Sequence, residues 1–308
     1  MLKVSLRQIG YFVAAAETGS IAEAARVANV AQPSVSWAIL KMEELLGLEL
    51  FVRQHAKGVS LTAAGHRLLP QARSMLRMAE EFEASARVQA NELTGALTVG
   101  CYSTLGASYM PRIIAEFARQ HPKVQIVIHE DTMDDMLEKL ASGMVEIALA
   151  YDIDLPDDLL KLRVHSAPPH VVLPDGHPLL TQPALSLADL RDEPFILLNS
   201  KPAEHYFLSL FDAVGVTPII SRTSPSFEVV RSLVAQGLGY SVLVTRPQSD
   251  VTYDGLRIHH RPLTDALPEQ SMCTVRAPAS RMTRRCQAFQ DICVQLFSKR
   301  NDPVKAAS

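Results

Sequence analysis

The chain has 308 residues, too many for one average domain, so two or three folded units are expected. Hydrophobic residues make up 47% and charged residues 20%, a globular composition rich enough to bury cores. No apolar run reaches the ~18 residues of a membrane span, and a net charge of −3, taken alone, argues against nucleic-acid binding.

The N-terminus, MLKVSLRQIG, lacks the apolar stretch and cleavage site of a signal peptide, so a cytoplasmic location is expected. Cys101, Cys273, Cys286 and Cys293 form no CxxC pair and read as reduced, mostly buried thiols. The charge is unevenly spread. Residues 1–73 hold eight Lys/Arg against five Glu, a surplus of +3, which leaves −6 for the rest. A mildly basic head on an acidic body suits a DNA reader joined to another domain.

Ser5 and Gln8 have capping-box spacing, and Leu6, Ile9, Phe12, Val13 and Ala16 follow at helical spacing up to Gly19. Ser20 and Glu23 predict a second box for a short helix, Ile21 to Ala28. Asn29 and Val30 form a turn. Gln32-Pro33 opens a third helix that stops at Gly47. Two short helices, a tight turn and a longer third helix make a helix-turn-helix pattern, whose last helix lies in the major groove. A generic three-helix bundle fits the periodicity alone equally well. Gln32, Pro33, Ser34, Ser36 and Trp37 stand on or near the first turn, where they face the bases or the backbone. Val35, Ile39, Met42, Leu45 and Leu46 read as core. Residues 50–53 and 59–61, around Lys57-Gly58, predict a β-hairpin wing whose Arg53 and Lys57 approach the DNA backbone.

The stretch FVAAAETGSIAEAARVANVAQPSVSWAILKMEELLGLELFVR, with LTAAG after it, resembles the signature region of LysR-type transcriptional regulators. The match rests on Gly19-Ser20, Ala24-Ala25, Gln32-Pro33, Ser36, Glu43-x-x-Leu-Gly-x-x-Leu-Phe and Leu61-Thr62-x-x-Gly65 together. It covers the chain in length and order, with its specificity in residues 5–70. There are departures. Ala31 stands where many members have a serine N-cap, at a cost of about 1 kcal/mol. Trp37 stands where arginine is common, which implies an unusual operator. Trp37 reads either as a stacked or apolar DNA contact or as packing on a neighbouring chain.

Thr62 caps a long helix ending near Asn91. Leu69, Ala72, Leu76, Ala79 and Phe82 or Glu83 recur three and four apart, with Met75 beside them. This seam reads as a dimerising helix over 62–90; an ordinary amphipathic helix packed on its own domain is the alternative. Pro70 either kinks the helix or sits where its missing hydrogen bond is not needed.

Beyond Gly95, strands and helices alternate. Leu97–Cys101, helix 107–120, Val124–His129, helix 133–142 and Glu146–Tyr151 form a βαβαβ run that implies a parallel sheet. A similar set runs from Val171–Leu173 through Tyr240–Val244. Ser271–Arg276 and a helix at 280–297 close the chain. Two lobes crossed near 163–169 and 262–270 resemble periplasmic binding proteins, which is also the sensor fold the LysR resemblance implies.

The expected fold class is therefore an α-helical winged helix-turn-helix N-terminal domain plus an α/β two-lobed, periplasmic-binding-protein-like C-terminal domain. The expected divisions are 1–61, a linker helix at 62–90, and an effector domain at 91–308. Its lobe I covers about 91–164 and 268–300, and its lobe II about 165–267.

Ligands in such sheets sit at strand C-termini beside helix N-termini. Tyr102, Ser103, Thr104, Thr132, Tyr151, Asn199, Ser200, Ser226 and Phe227 occupy those places. For each Ser or Thr, a plain N-cap is the competing reading. No GxSxG, GxGxxG, P-loop or HExxH occurs, and His259-His260 and His165/His170 show no convincing carboxylate or cysteine companion. That argues against an enzyme. A transport solute-binding protein would need export and leaves the first ninety residues unexplained. Expected partners are double-stranded DNA, a small organic effector, the chain itself as homodimer or tetramer, and RNA polymerase. No cofactor, metal or membrane is expected.

Overall fold

The computed structural model describes residues 3–54, 58–87, 93–278 and 280–298. The side chain of Arg53 and all of Lys57 lie outside the described residues.

The head begins with α1 (Leu6–Thr18). Ser5 and Gln8 close the capping box, and Gly19, at φ +64°, ends the helix in the left-handed region. In α2 (Ile21–Val27) Ser20 accepts from the Glu23 N–H, but the Glu23 carboxylate turns to Arg26, so only half of the predicted box forms. α3 (Gln32–Leu46) starts without a side-chain cap at Ala31, tolerates Pro33 in its first turn and ends at Gly47. It buries Val35, Ala38, Ile39 and Met42. Leu46, expected in the core, is exposed, and Leu45 is half-buried. The small Ala38 takes the inward place instead.

The wing is β1 (Phe51–Gln54) paired antiparallel with β2 (Gly58–Leu61), Phe51 opposite Leu61 and Gln54 opposite Gly58. Two contacts fix it to the helices. Glu43 Oε1 accepts from the Leu50 and Phe51 N–H groups at 2.7 and 3.2 Å. The Val59 N–H donates to the Gly19 carbonyl at 2.9 Å. Gly58 lies so close to Gly19 that a Cβ there would sit 2.2 Å from the Gly19 oxygen, and its positive φ also favours glycine.

The long helix α4 (Ala63–Arg87) runs through Pro70 without interruption. Thr62 caps it, accepting from the Gly65 N–H at 3.0 Å. Leu69 and Ala72 are buried in the core of the head and Leu76 packs against it. The predicted seam is thus largely spent inside its own chain. What α4 leaves exposed is Met75, Met78 and, at 76%, Phe82.

The rest of the chain forms the two lobes. The first holds β3 (Gly95–Tyr102), α5 (Ser103–Gln120), β4 (Val124–Asp131), α6 (Met133–Ala141), β5 (Ile147–Tyr151) and β6 (Leu160–Ala167). The second holds β7 (His170–Pro174), β8 (Pro194–Leu198), α7 (Ala203–Ala213), β9 (Ile219–Ser224), α8 (Phe227–Ala235), β10 (Ser241–Leu243) and β11 (Ile258–Pro262). β12 (Gln270–Arg276) and α9 (Arg284–Ser298) return to the first.

The first sheet has the order β4-β3-β5-β12-β6. β3 is parallel to β4 and β5, as expected, but the returning β12 is antiparallel to both β5 and β6, so the sheet is mixed. β6 and β11 form where the sequence pattern predicts no strand, and β6 keeps residues 165–167 in the first sheet. In the second lobe, β7 pairs antiparallel with β10 and β11, and β8 pairs parallel with β9. The chain therefore passes between lobes at 168–169 and again at 263–269. α5 starts at Ser103, four residues before its predicted start. That places Ser103 and Thr104 in its first turn.

Candidate nucleic-acid interface and effector cleft

Gln32, Pro33, Ser34 and Trp37 lie exposed on α3, and Ser36 is half-buried at its flank. Trp37 is 67% exposed. The buried face of α3 points into the head, so its first turn and outer face are free to meet a partner. β1 carries Arg53, held in register with Val59. The wing places backbone there; the Arg53 and Lys57 side chains are outside the described residues.

Between the lobes, Ser103, Thr104, Ser226 and Phe227 come together on one cleft of about 660 Å³. Two helix N-termini, those of α5 and α8, open onto it. Ser226 caps α8, accepting from the Val229 N–H at 3.5 Å. Thr104 is 7% exposed, and its Oγ1 has no hydrogen-bond partner within the chain.

Deeper in, Tyr102 and Tyr151 meet edge to face with ring centres 6.5 Å apart. They surround a narrow void shared with Thr104, Phe207 and Phe227. Each phenol reaches across to the other lobe. Tyr102 Oη lies 3.0 Å from Ser200 Oγ, and Tyr151 Oη lies 2.7 Å from Thr245 Oγ1. Burial holds both phenol pKa values above the ordinary range, while these hydrogen bonds work in the opposite direction. Both rings therefore stay neutral and able to donate. Asn199 donates its N–H to the Ser224 carbonyl, and its side-chain Oδ1 is buried with no partner.

Thr132 does not join them. It caps α6, accepting from the Asp135 N–H at 3.3 Å and donating to the Asp135 carboxylate at 2.7 Å. Like Asn199 and Ser200, it lines neither the cleft nor the void, and its hydroxyl serves its own helix as a cap. Its neighbour Met133 lines a separate cavity of about 470 Å³ with Lys201 and His205.

The cleft also has walls that sequence reading missed: Arg112, Glu130, Glu228, Arg231 and Tyr253. Arg231 is buried, pairs with Glu228, donates to the Ser249 carbonyl at 2.9 Å and lies over the Phe227 ring. No local motif marks these residues; they reach the cleft from α5 and α8, from the end of β4 and from a late loop. The histidines also differ from expectation. His259 Nε2 lies 2.8 Å from Asp175 Oδ1, 84 residues away in sequence, and the buried His260 Nε2 lies 3.3 Å from Asp250 Oδ1 without a hydrogen bond between them. Among the described residues no cluster of three or more His, Cys, Asp or Glu could hold a metal, and no helix is long and apolar enough to cross a membrane.

The family model for the bacterial regulatory helix-turn-helix protein, lysR family, matches residues 6–66, and that for the LysR substrate binding domain matches residues 90–298. The chain belongs to the LysR family. The crystal structure of HinK, a LysR family transcriptional regulator from Pseudomonas aeruginosa, is 38% identical, covering 96% of this chain and all of that one, with a TM-score of 0.64. An uncharacterized HTH-type transcriptional regulator of Bacillus subtilis, YvbU, is 30% identical over 87% of this chain and 89% of its own. A hydrogen peroxide-inducible genes activator of Dickeya chrysanthemi is 26% identical over 94% of each chain. This LysR-family chain is accordingly a DNA-binding transcriptional regulator with an effector-binding domain. Family members regulate transcription and are not enzymes.

Proposed function

We propose that the regulator reads an operator with the first turn and outer face of α3 and is controlled by a small organic molecule in the cleft beside Thr104. Gln32 reads a base edge, Ser34 and Ser36 contact base or backbone, and Pro33 fixes the approach of the first turn. Arg53 and Lys57 on the wing neutralise phosphates. The exposed Met75, Met78 and Phe82 of α4 make a dimer seam, and dimers pair into tetramers. RNA polymerase is the partner at the promoter, and the cytoplasm is the compartment where operator and effector meet.

The observation that carries the effector reading is Thr104 Oγ1. A buried hydroxyl without a partner costs free energy, and this one sits at the N-terminus of α5, where N–H groups favour an anion. It joins the open cleft to the void between Tyr102 and Tyr151. Tyr102 with Ser200, and Tyr151 with Thr245, hold the lobes together across that void. A ligand that binds one lobe arrangement better than another shifts this balance by its differential affinity.

The Dickeya relative's name speaks of hydrogen peroxide. In this chain every cysteine is buried. Burial pushes the Cys273 and Cys286 thiols up to about 12, and Cys101 and Cys293 further still. Thiolate is the reactive form, so a bound effector is favoured here over thiol oxidation.

The test is Thr104→Val, which keeps shape and removes the hydroxyl. A thermal-shift screen of metabolites on the intact chain finds the effector first. The variant should lose or weaken the effector's thermal shift and reporter response, while a gel shift without effector stays as in the parent. A normal response would leave Thr104 as a helix residue only.

A further inference from the structure

Trp37 is the single tryptophan of the chain. It lies on the face of α3 opposite the buried Val35, Ala38, Ile39 and Met42. One turn before it stands Pro33 and one turn after it Leu40, both exposed, Leu40 at 47%. Residues three and four apart share a helix face, so Pro33, Trp37 and Leu40 form an apolar stripe. Among the described residues no hydrogen bond or ring contact holds the indole. The nearest cation on the helix, Lys41, is paired with Glu44 at 2.8 Å. The outer face of the reading helix thus carries an apolar stripe beside exposed Ser34 and the neutralised Lys41–Glu44 pair, where phosphate binding would ask for free positive charge.

We propose that Trp37 is a specificity-determining residue that packs on the C5-methyl group of a thymine in the major groove. The inference rests on α3 being the groove helix, as put forward above. An α-helix fits the major groove, about 12 Å wide, and not the minor groove at about 6 Å. On the major-groove floor the apolar group on offer is the thymine methyl. An uncharged ring releases no counterion at a phosphate, but it carries a large apolar surface whose dehydration is favourable. Pro33 and Leu40 extend the stripe along the groove and keep water from the contact. The competing occupant is a second copy of the chain seated on the same stripe.

The full-length protein is used throughout. A duplex is selected with it from a random-sequence library, and each thymine of the bound site is replaced in turn by deoxyuridine, which lacks only the methyl group. The tryptophan emission reports on this one residue. Emission should change on adding the duplex and should not depend on protein concentration alone. One deoxyuridine position per half-site should weaken binding about threefold to fivefold, the worth of a buried methyl group. Trp37→Ala should bind the thymine and deoxyuridine duplexes equally well, with the salt slope unchanged. Trp37→Arg should also lose the discrimination while steepening the salt slope by about one. If Trp37→Ala keeps the parent's preference for thymine, or if emission follows protein concentration and ignores DNA, the assignment is overturned. If no duplex is bound in a salt-dependent way, the placement of α3 fails as well, which is a separate outcome.

Discussion

Arg73 and Glu17 form an ion pair at 3.2 Å that ties the middle of α4 to the end of α1. The same guanidinium donates to the Ser142 carbonyl at 2.7 Å, at the end of α6 in the first lobe. One turn on, Arg77 donates to the Gly143 carbonyl at 2.9 Å and pairs with the buried Glu146 at 3.4 Å. A Cβ at Gly143 would lie 3.4 Å from Pro70 Cα, so the proline faces this turn closely. Head and first lobe thus meet on one face of α4, through buried polar contacts.

Arg73→Ala should cost more stability than Glu17→Ala. Glu17 is half exposed, and its ion pair is worth about 0.2–1 kcal/mol. Losing Arg73 also strips the Ser142 carbonyl of its partner, adding about 1–3 kcal/mol. Urea unfolding of both variants checks this; equal losses would mean the Ser142 contact carries no weight.

Gln32→Ala should relax operator choice and cost about 1–3 kcal/mol of binding. Arg53→Ala should weaken every sequence alike and lower the salt slope by about one. Titrations at several salt concentrations separate the two patterns. Parent-like binding by both variants would remove the proposed docking.

For the dimer, Phe82→Asp is the discriminating substitution. Phe82 is exposed in the single chain, so the change should abolish the dimer in light scattering and leave the melting temperature of the head nearly unchanged. Leu76→Asp should instead destabilise the fold, because Leu76 packs against the core of the head. An intact oligomer in Phe82→Asp would place the seam elsewhere.

Acid should destabilise the second lobe through His170 and His260, whose rings lie 4.8 Å apart. Burial, their mutual repulsion and nearby Arg246 lower His170 to about 3, and burial and Arg246 lower His260 to about 4. Unfolded imidazoles take up protons near pH ~6.5. The stabilising contribution is therefore complete above pH ~6.5. It is lost as the pH falls toward the folded values, because the unfolded state binds more protons throughout that window. Urea unfolding at about pH 7.5 and about pH 4.5 should show a large drop for the parent. The drop should be smaller for a double His→Gln variant. An equal drop would assign the acid sensitivity to other groups.

Local sequence was enough for the head. Ser5, Gly19, Ser20, Gln32-Pro33 and Gly47 are caps and breakers that act within a few residues, and the helices begin and end where those residues stand. The βαβαβ run and the positions of Tyr102, Ser103 and Thr104 were legible for the same reason, since strand and helix periods are short-range. The antiparallel return of β12 and the edge strand β6 were not. β6 shows little burial along its length, so its pattern carries no clean alternation, and the direction of a returning strand is set by where the chain comes from.

The winged helix-turn-helix, the α/β character of the second half and the cleft residues Ser103, Thr104, Ser226 and Phe227 could be read from the sequence, because each depends on spacing within one element. How those elements spend their faces depends on packing between them. α4 carries one apolar pattern, yet packing against α1 consumes Leu69, Ala72 and Leu76 and leaves Phe82 outside. Thr132 and Thr104 both stand at the start of a helix, yet one bonds its own helix and the other is buried without a partner between two lobes. Arg231 reaches the cleft from the middle of α8, and His260 finds Asp250 across a loop. These outcomes depend on which surfaces meet, and non-local contacts are fixed by the closing of long loops and the burial that follows, which no short window of sequence contains.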